Sequence, residues 1–341
     1  MANRESGQTK LSKGIKTLSA LTLAPVGGWL AYSRFGVNHQ VPLPAAIEAK
    51  QMNFTATRAG RLNYYVANQA QGRPLVLIHS INAAPSAMEM KPLFAHYRTQ
   101  RPVYALELPG FGFSERGPRQ YTPELYADAI TDFLTHEVNE AADVIALSLG
   151  CEFVARAAVA NPALFHSLVF ISPSGFGFRR GGAANGADDD GAAQRAAFER
   201  VYQVTTVPLW SQAIFDLLTV RPSIRYFLGQ SFAGAPSESM IEYAYNTSHQ
   251  PGARYAPLDF LGGKLFTWDI RKTLYAQLTT PTLALYDRDP NVSFDRLPEL
   301  LNRNNAWRAV RITPTRGLPH WEKLAETTEA IDQFWAGIGQ S

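Results

Sequence analysis

The sequence contains a single cysteine, Cys151, among 341 residues. One cysteine excludes disulfide bonds within the chain and metal sites built from cysteine clusters, so we expect Cys151 to be a small buried apolar residue. The formal net charge is only +3, and no basic surface predicts a nucleic-acid partner. The sequence also lacks a metal-ligand cluster and a dinucleotide-binding glycine fingerprint. We therefore expect neither a metal ion nor a cofactor.

Charge is also missing from residues 17–33, which follow Lys10, Lys13 and Lys16. Basic residues before an apolar run are typical of a signal anchor or a signal peptide. The run is near the short limit for a membrane span, and a proline and two glycines interrupt it. Three interpretations of residues 15–35 stay open: a membrane anchor, an interfacial helix on a bilayer, and an arm packed on the protein itself. For the location of the protein in the cell, we favour association with a membrane over the cytoplasm.

Apolar residues make up 46% of the chain, and apolar runs alternate with helical patterns, as in a parallel sheet flanked by helices. Near the start, Ala59-Gly60 joins two short runs and indicates a hairpin. Thr122 followed by Pro123 predicts the beginning of a helix. The predicted strands are 52–58, 61–67, 74–79, 102–108, 144–147, 167–172, 281–286 and 307–312. The predicted helices are 86–97, 123–138, 152–160, 294–301 and 321–335.

The alternation stops for almost a hundred residues before the strand at 281. Residues 181–193 have low complexity and predict a mobile loop. The segment that follows has a helical pattern and many aromatic residues, which indicates a helical cap inserted into a sheet domain. The predicted domains are an N-terminal arm (1–50), a sheet domain in two pieces (51–174 and 269–341) and the cap (175–268).

An apolar run ends at Ser148, and a helix rich in small residues follows. A serine on a sharp strand-to-helix turn has its hydroxyl exposed above the sheet, and the first N–H groups of the helix can stabilise a developing oxyanion. Small residues are needed on both sides of such a turn, and here they are Ala146 and Gly150. The pattern predicts a nucleophilic serine. The simpler interpretation is an ordinary strand–helix junction.

Four further segments support the first interpretation. With the turn itself they read LVLIHS (75–80), ELPGFGFS (107–114), ALSLGC (146–151), PTLALYDRDPNVS (281–293) and GLPHWEK (317–323). In this order they resemble the oxyanion loop, the loop after the fourth strand, the nucleophile elbow, the acid loop and the histidine segment of the α/β-hydrolase superfamily. Ser80 replaces the usual glycine and Glu107 the usual aspartate. The resemblance implies an α/β-hydrolase fold, with a mostly parallel sheet flanked by helices and an inserted helical cap.

The resemblance also implies roles for individual residues. Ser148 takes the position of the nucleophile and Asp289 that of the acid, with Asp287 as the near alternative. A loop carboxylate that pairs with Arg288 or caps the next helix is the non-catalytic interpretation, and it suits Asp287 better. The oxyanion hole would use backbone N–H groups: that of Leu149, and that of Ser80 or Ile81. Because the donors are backbone groups, no particular side chain is needed at these three positions.

The histidine segment departs from the family pattern, because its usual base position is occupied by Gly317. His320 comes three residues later, where many members have a second, non-catalytic histidine. Two alternatives follow: the loop takes an unusual path and delivers His320 to Ser148, or the base is missing. His249, in the predicted cap, is a reserve candidate for the base.

These residues lead to two functional hypotheses. In the first, the protein is a serine hydrolase that acts on an ester or related acyl bond of an apolar or aromatic small molecule, with Ser148, His320 and Asp289 as the triad. In the second, it is a non-catalytic binding or scaffold protein that kept the fold without the base at Gly317. A nitrogen of His320 within hydrogen-bond reach of Ser148 would favour the first.

Overall fold

An eight-stranded sheet forms the centre of the protein. The structure is a computed structural model that describes residues 25–177, 179–180, 183–184 and 191–339. Its strands are β1 Lys50–Ala56, β2 Gly60–Ala67, β3 Leu75–Ile78, β4 Val103–Leu106, β5 Ala142–Leu147, β6 Phe165–Ile171, β7 Thr282–Arg288 and β8 Trp307–Arg316. They lie in the order β1-β2-β4-β3-β5-β6-β7-β8; β1–β2 and β2–β4 are antiparallel and the other neighbours are parallel. Residues 179–180 and 183–184 form a separate two-residue ladder.

Helices flank this sheet on both sides. The first, α1, covers residues 25–35. The others are α2 Lys91–Tyr97, α3 Pro123–Phe133, α4 Gly150–Ala160, α5 Gly191–Thr205, α6 Ser211–Leu218, α7 Arg221–Gln230, α8 Glu238–Ser248, α9 Tyr255–Leu261, α10 Ile270–Thr273, α11 Leu297–Arg303, α12 Pro319–Glu322 and α13 Leu324–Ile338. Single 3-10 turns lie at Ala87–Met90, Pro162–Leu164 and Tyr275–Gln277, and a π turn, Leu134–Val138, extends α3. The sheet and its helices confirm the predicted fold class.

The central strands are apolar on both faces because helices cover both faces. In β3, Val76 and Ile78 belong to one apolar core, whereas Leu75 and Leu77 belong to the core on the other face. Every side chain of β3 is fully buried. Burial of a side chain of this size contributes about 1.5–3 kcal/mol, so the continuous apolar run stabilises both layers at once.

The element boundaries differ from the predictions mainly near the C-terminus. The last strand continues past residue 312 to Arg316. The predicted final helix is two helices, because Lys323 has φ −141° and ψ 63°, outside the helical region, and separates α12 from α13. The helix expected after Thr122 begins there, since the Thr122 side chain accepts a hydrogen bond from the Leu125 N–H.

The chain between β6 and β7 contributes helices α5 to α10 in its described part. We call residues 175–268 the inserted segment. Most of the predicted mobile loop at 181–193 lies outside the described residues. The division of the chain into an arm, a sheet domain and a cap stays a prediction.

The N-terminal helix α1 is held on the inserted segment. The indole N–H of Trp29 donates to the Ala213 carbonyl oxygen at 2.8 Å, and the Ser33 hydroxyl donates to Asp216 at 2.6 Å. Within the described residues no helix has both the length and the apolar character that a membrane span requires. Residues 15–24 of the predicted membrane segment lie outside the described part.

Candidate functional site

Ser148 lies on a strained turn between β5 and α4. Its φ is +52°, in the left-handed region that residues other than glycine seldom adopt. The Ser148 N–H donates to the Ile171 carbonyl oxygen of β6 at 2.9 Å. A Cβ atom at Gly150 would lie 2.5 Å from the His79 carbonyl oxygen, so glycine is required two residues after Ser148. This is the geometry of a nucleophile elbow.

Two backbone N–H groups are available near this turn. Leu149 precedes the first turn of α4, and its N–H donates to no described residue. The Ser80 N–H donates to the Glu89 carboxylate at 2.8 Å, whereas the Ile81 N–H donates to no described residue. Of the two sequence-based alternatives for the second oxyanion donor, Ile81 therefore has the available N–H group.

Glu89 organises this loop, and the sequence analysis did not single it out. Its carboxylate accepts hydrogen bonds from the Ser80 hydroxyl at 2.9 Å and from the Asn82 amide at 2.8 Å, in addition to the Ser80 N–H. Burial raises the pKa of the Glu89 carboxyl, and the hydrogen bonds from Ser80 oppose that rise. The signal for Glu89 in the sequence is a charged residue within the apolar run AMEM.

His79 supports the same loop through both ring nitrogens. One ring nitrogen, Nδ1, contacts the Ser80 carbonyl oxygen at 2.6 Å, and Nε2 accepts a hydrogen bond from the Leu108 N–H at 3.0 Å. Burial lowers the pKa of His79 to about 4, so the ring is neutral near pH 7. Both nitrogens are thereby used in structural contacts.

The two candidate acids have different surroundings. Asp289 follows β7 and lies on the same cavity as Ser148. One of its oxygens accepts hydrogen bonds from the Asn291 N–H at 2.7 Å and the Val292 N–H at 2.9 Å. Asp287 instead accepts from the Arg311 guanidinium at 2.7 Å and the Thr315 N–H at 2.9 Å, and these bonds lower its pKa against the effect of burial. Asp289 is thus the acid that faces the cavity.

Gly317 lies beside this acid. A Cβ atom at residue 317 would be 3.3 Å from Asp289 Oδ2, and Gly317 also lines the cavity with Ser148. A side chain at this position would thus begin next to Asp289, on the cavity that Ser148 also lines. Glycine has no side-chain group that could act as a base there.

His320 is directed into the protein instead. It lies in α12 and is fully buried. Its Nε2 atom is 2.8 Å from the Glu89 carbonyl oxygen, which also accepts from the Trp321 indole. Burial lowers the pKa of His320 to about 4. His320 has no hydrogen bond to Ser148 or to Asp289 among the described residues, and it does not line the cavity that they share.

The reserve candidate His249 also lies elsewhere. Its ring stacks on Tyr245 at 3.9 Å, and Nδ1 contacts the Tyr245 carbonyl oxygen at 2.8 Å. All seven histidines of the chain fall within the described residues, and none of them lines the cavity. The remaining ones contact Asp216 (His39), pack against Tyr97 (His96), lie exposed after α3 (His136) and pair with Asp143 (His166).

The cavity above Ser148 has a volume of about 500 Å³, within the range of small-molecule sites. Its floor is the sheet edge, with Ser148, Leu149 and Ile81, and its polar groups include Asn82 and Asp289. The inserted segment supplies most of the apolar lining. These side chains are Phe198, Leu218, Ile224, Phe227, Leu228, Met240, Tyr243, Phe260, Leu261 and Phe266.

A second buried acid, Glu152 of α4, connects this helix to the inserted segment. Its carboxylate accepts from the Ser174 hydroxyl at 2.6 Å and from the Thr267 N–H at 2.8 Å. Ser174 directly precedes the inserted segment and Thr267 lies near its end. Burial raises the pKa of Glu152 to about 7. No pattern in the sequence indicates this connection. Cys151, next to Glu152, is fully buried as predicted.

No group of three or more histidine, cysteine or acidic side chains in the described ranges is arranged to hold a metal ion. The polar groups near Ser148 are its own hydroxyl, the N–H groups of Leu149 and Ile81, and the Asp289 carboxylate.

The sequence of residues 75–329 matches the model of the alpha/beta hydrolase family. This match covers most of the chain, and the chain belongs to that family. None of the curated proteins matches it significantly in sequence.

Solved structures of several activities share the fold. A bacterial membrane phospholipase A is 16% identical, with a TM-score of 0.65 over 98% of this chain and 100% of its own. An esterase from Thermogutta terrifontis is 18% identical, with a TM-score of 0.62 over 85% and 99%. A loop variant of a haloalkane dehalogenase from Bradyrhizobium elkanii is 15% identical, with a TM-score of 0.65 over 85% and 97%. At these identities the likeness establishes the fold and leaves the reaction to the site itself.

Proposed function

We propose that the protein binds an apolar small molecule with a carbonyl group in the cavity above Ser148, and that it does so without efficient hydrolysis. One observation carries this proposal: Gly317 occupies the position beside Asp289 where a base would stand, while every histidine is placed outside the cavity. A serine hydroxyl without a base is a poor nucleophile near neutral pH. Loss of a triad member lowers turnover by about 10⁴-fold or more.

The lining supports the class of ligand. Aromatic and aliphatic side chains of the inserted segment cover most of the cavity wall, which favours an apolar or aromatic body. The polar end of the cavity has the Leu149 and Ile81 N–H groups, which can donate two hydrogen bonds to a carbonyl oxygen. This arrangement needs no proton transfer, so binding remains when the base is absent.

The second candidate is the serine hydrolase of our first hypothesis, with Ser148 as nucleophile and an ester or related acyl bond as target. The strained φ of Ser148 favours it, because backbone strain of this kind is concentrated at reactive residues. The esterase and the phospholipase A among the similar structures act on ester bonds by name. In this candidate His320 would have to leave its contact with Glu89 and reach the cavity.

Two measurements on the purified protein separate the candidates. We expect a fluorescent long-chain acyl amide, which resists hydrolysis, to bind saturably in a fluorescence titration. We also expect a fluorophosphonate probe to label the protein no faster than the Ser148→Ala variant, with the labelled residue located by mass spectrometry. Rapid labelling at Ser148 would establish the hydrolase instead, and a folded protein that does not bind the amide would refute the binding function.

A further inference from the structure

Exposed apolar side chains are concentrated on one part of this molecule. The described residues have ten large apolar side chains that are exposed, and Val310 on β8 is the only one that belongs to the sheet. The other nine lie on α1 and on the first three helices of the inserted segment or between them. They are Val26, Tyr32, Phe35, Val201, Val204, Leu209, Leu217, Tyr226 and Phe227. Scattered exposed apolar residues are common, but a cluster indicates an interaction surface.

Helix α6 connects the parts of this surface. Its Ala213 and Asp216 hold α1 through Trp29 and Ser33. The neighbouring Leu217 is 58% exposed, and Leu209, just before α6, is 74% exposed. Only two residues separate α6 from α7, which presents Tyr226 and Phe227. We call these exposed side chains of α1, α6 and α7, with Leu209, the docking surface.

We propose that the docking surface lies on a lipid bilayer. The chain that leads into α1 gives the reason: residues 17–24 are uncharged and mostly apolar, and Lys10, Lys13 and Lys16 precede them. Because α1 is fixed on α6, the described part of the chain begins beside the docking surface. An apolar face next to a basic segment has the two components that peripheral membrane binding needs, namely buried apolar area and attraction to anionic headgroups.

The cavity opens on the same surface. Phe227 is 55% exposed and also lines the cavity, so it stands at the mouth. Leu218, next to the exposed Leu217, lines the cavity as well. A protein docked through this surface would face the bilayer with the mouth of its cavity. The docking itself does not depend on the proposed function, because it requires no ligand.

Sedimentation with vesicles tests the proposal on the full chain. We use vesicles of phosphatidylcholine and phosphatidylglycerol in equal amounts and compare the wild type with the Leu209→Ser, Leu217→Ser double variant. The side chains of Leu209 and Leu217 are largely exposed, so the double variant should fold. The Val310→Ser variant is the matched control. We expect the double variant to lower the partition coefficient about tenfold or more, and Val310→Ser to leave it unchanged. Equal partitioning of all three proteins would overturn the proposal.

Direct contact can be measured separately because the only native cysteine is buried. A polarity-sensitive fluorophore is attached to Leu217→Cys and, as control, to Val310→Cys. We expect vesicles to shift the emission to shorter wavelength at position 217 and not at 310. If the protein sediments with vesicles but position 217 shows no shift, residues before α1 carry the binding and the docking surface is refuted. A shift at 217 that occurs without vesicles, with protein concentration, identifies a second copy of the chain as the partner and also refutes it.

Discussion

The Gly317→His variant is expected to label with a fluorophosphonate probe at Ser148 at least about 10²-fold faster than the wild type. The Cβ atom of the new side chain would lie 3.3 Å from Asp289 Oδ2, on the cavity that Ser148 also lines. Asp289 could then orient the ring and Ser148 could transfer its proton to it. The backbone accepts the change, because Gly317 lies outside the left-handed region. The Asp289 carboxylate has to move away from the new Cβ atom by a few tenths of an ångström.

Three control variants assign the gain to an imidazole. Gly317→Ala adds only the Cβ atom, and Gly317→Gln adds a side chain that forms hydrogen bonds but is not a base. We expect both to label as slowly as the wild type. Addition of Asp289→Asn to Gly317→His should remove most of the gain, since the ring loses its orienting acid. The measurement is the rate of labelling, with the site identified by mass spectrometry.

A folded Gly317→His protein that labels no faster than Gly317→Gln would contradict the proposal that a base at position 317 can serve Ser148. A wild type that already labels rapidly would have a different meaning. It would indicate that His320 or another group serves as base, and Gly317→His would then add little. The two outcomes are distinguishable because the first is slow labelling of the Gly317→His variant and the second is rapid labelling of the wild type.

The second large effect concerns stability and pH at Glu152. Because burial raises its pKa from 4.5 to about 7, the folded protein holds a proton there that the unfolded chain releases. The contribution of this group to the free energy of unfolding is therefore complete below about pH 4.5 and falls as the pH rises to about 7. A shift of this size corresponds to at most about 3 kcal/mol.

The Glu152→Gln variant isolates this term. Glutamine stays neutral, so we expect the variant to become more stable relative to the wild type by up to about 3 kcal/mol between pH 4.5 and pH 8. The variant has to be compared with the wild type because His79 and His320 also titrate. Burial lowers their pKa values to about 4, so their contribution to the free energy of unfolding rises with pH where that of Glu152 falls. Urea unfolding of both proteins at each pH gives the difference, in which the histidine terms cancel.

A matched variant sharpens the Glu152 test. Ser174→Ala removes a hydrogen bond that lowers the pKa of Glu152, so the loss of stability with rising pH should be larger than in the wild type. If the difference between Glu152→Gln and the wild type is independent of pH, Glu152 titrates alike in the folded and unfolded chains, and the pKa assignment is wrong. The result bears on function because Glu152 joins the elbow helix to both ends of the inserted segment.

Much of the fold could be predicted because its signals are local. Strands buried on both faces need continuous apolar runs, as in β3 and β5. The turn at Ser148 needs small neighbours, and Gly150 fills the place where any Cβ would meet the His79 carbonyl. Thr122 marks a helix start because its side chain accepts a hydrogen bond from the N–H of Leu125, only three residues later. The ends of β8 and α13 were predicted less well, because packing sets where a strand or helix stops.

The sequence by itself thus determined the order of the elements, the serine turn, a candidate acid at residue 289 or 287, and the departure at residue 317. Only the tertiary structure decided that Gly317 lies against Asp289 while His320 points to the Glu89 carbonyl oxygen. It also decided that Glu89 takes the Ser80 N–H and that Glu152 joins the two ends of the inserted segment. The physical reason is that the direction of a loop side chain is set by partners far away in the chain, such as residues 89 and 320, which no local pattern encodes.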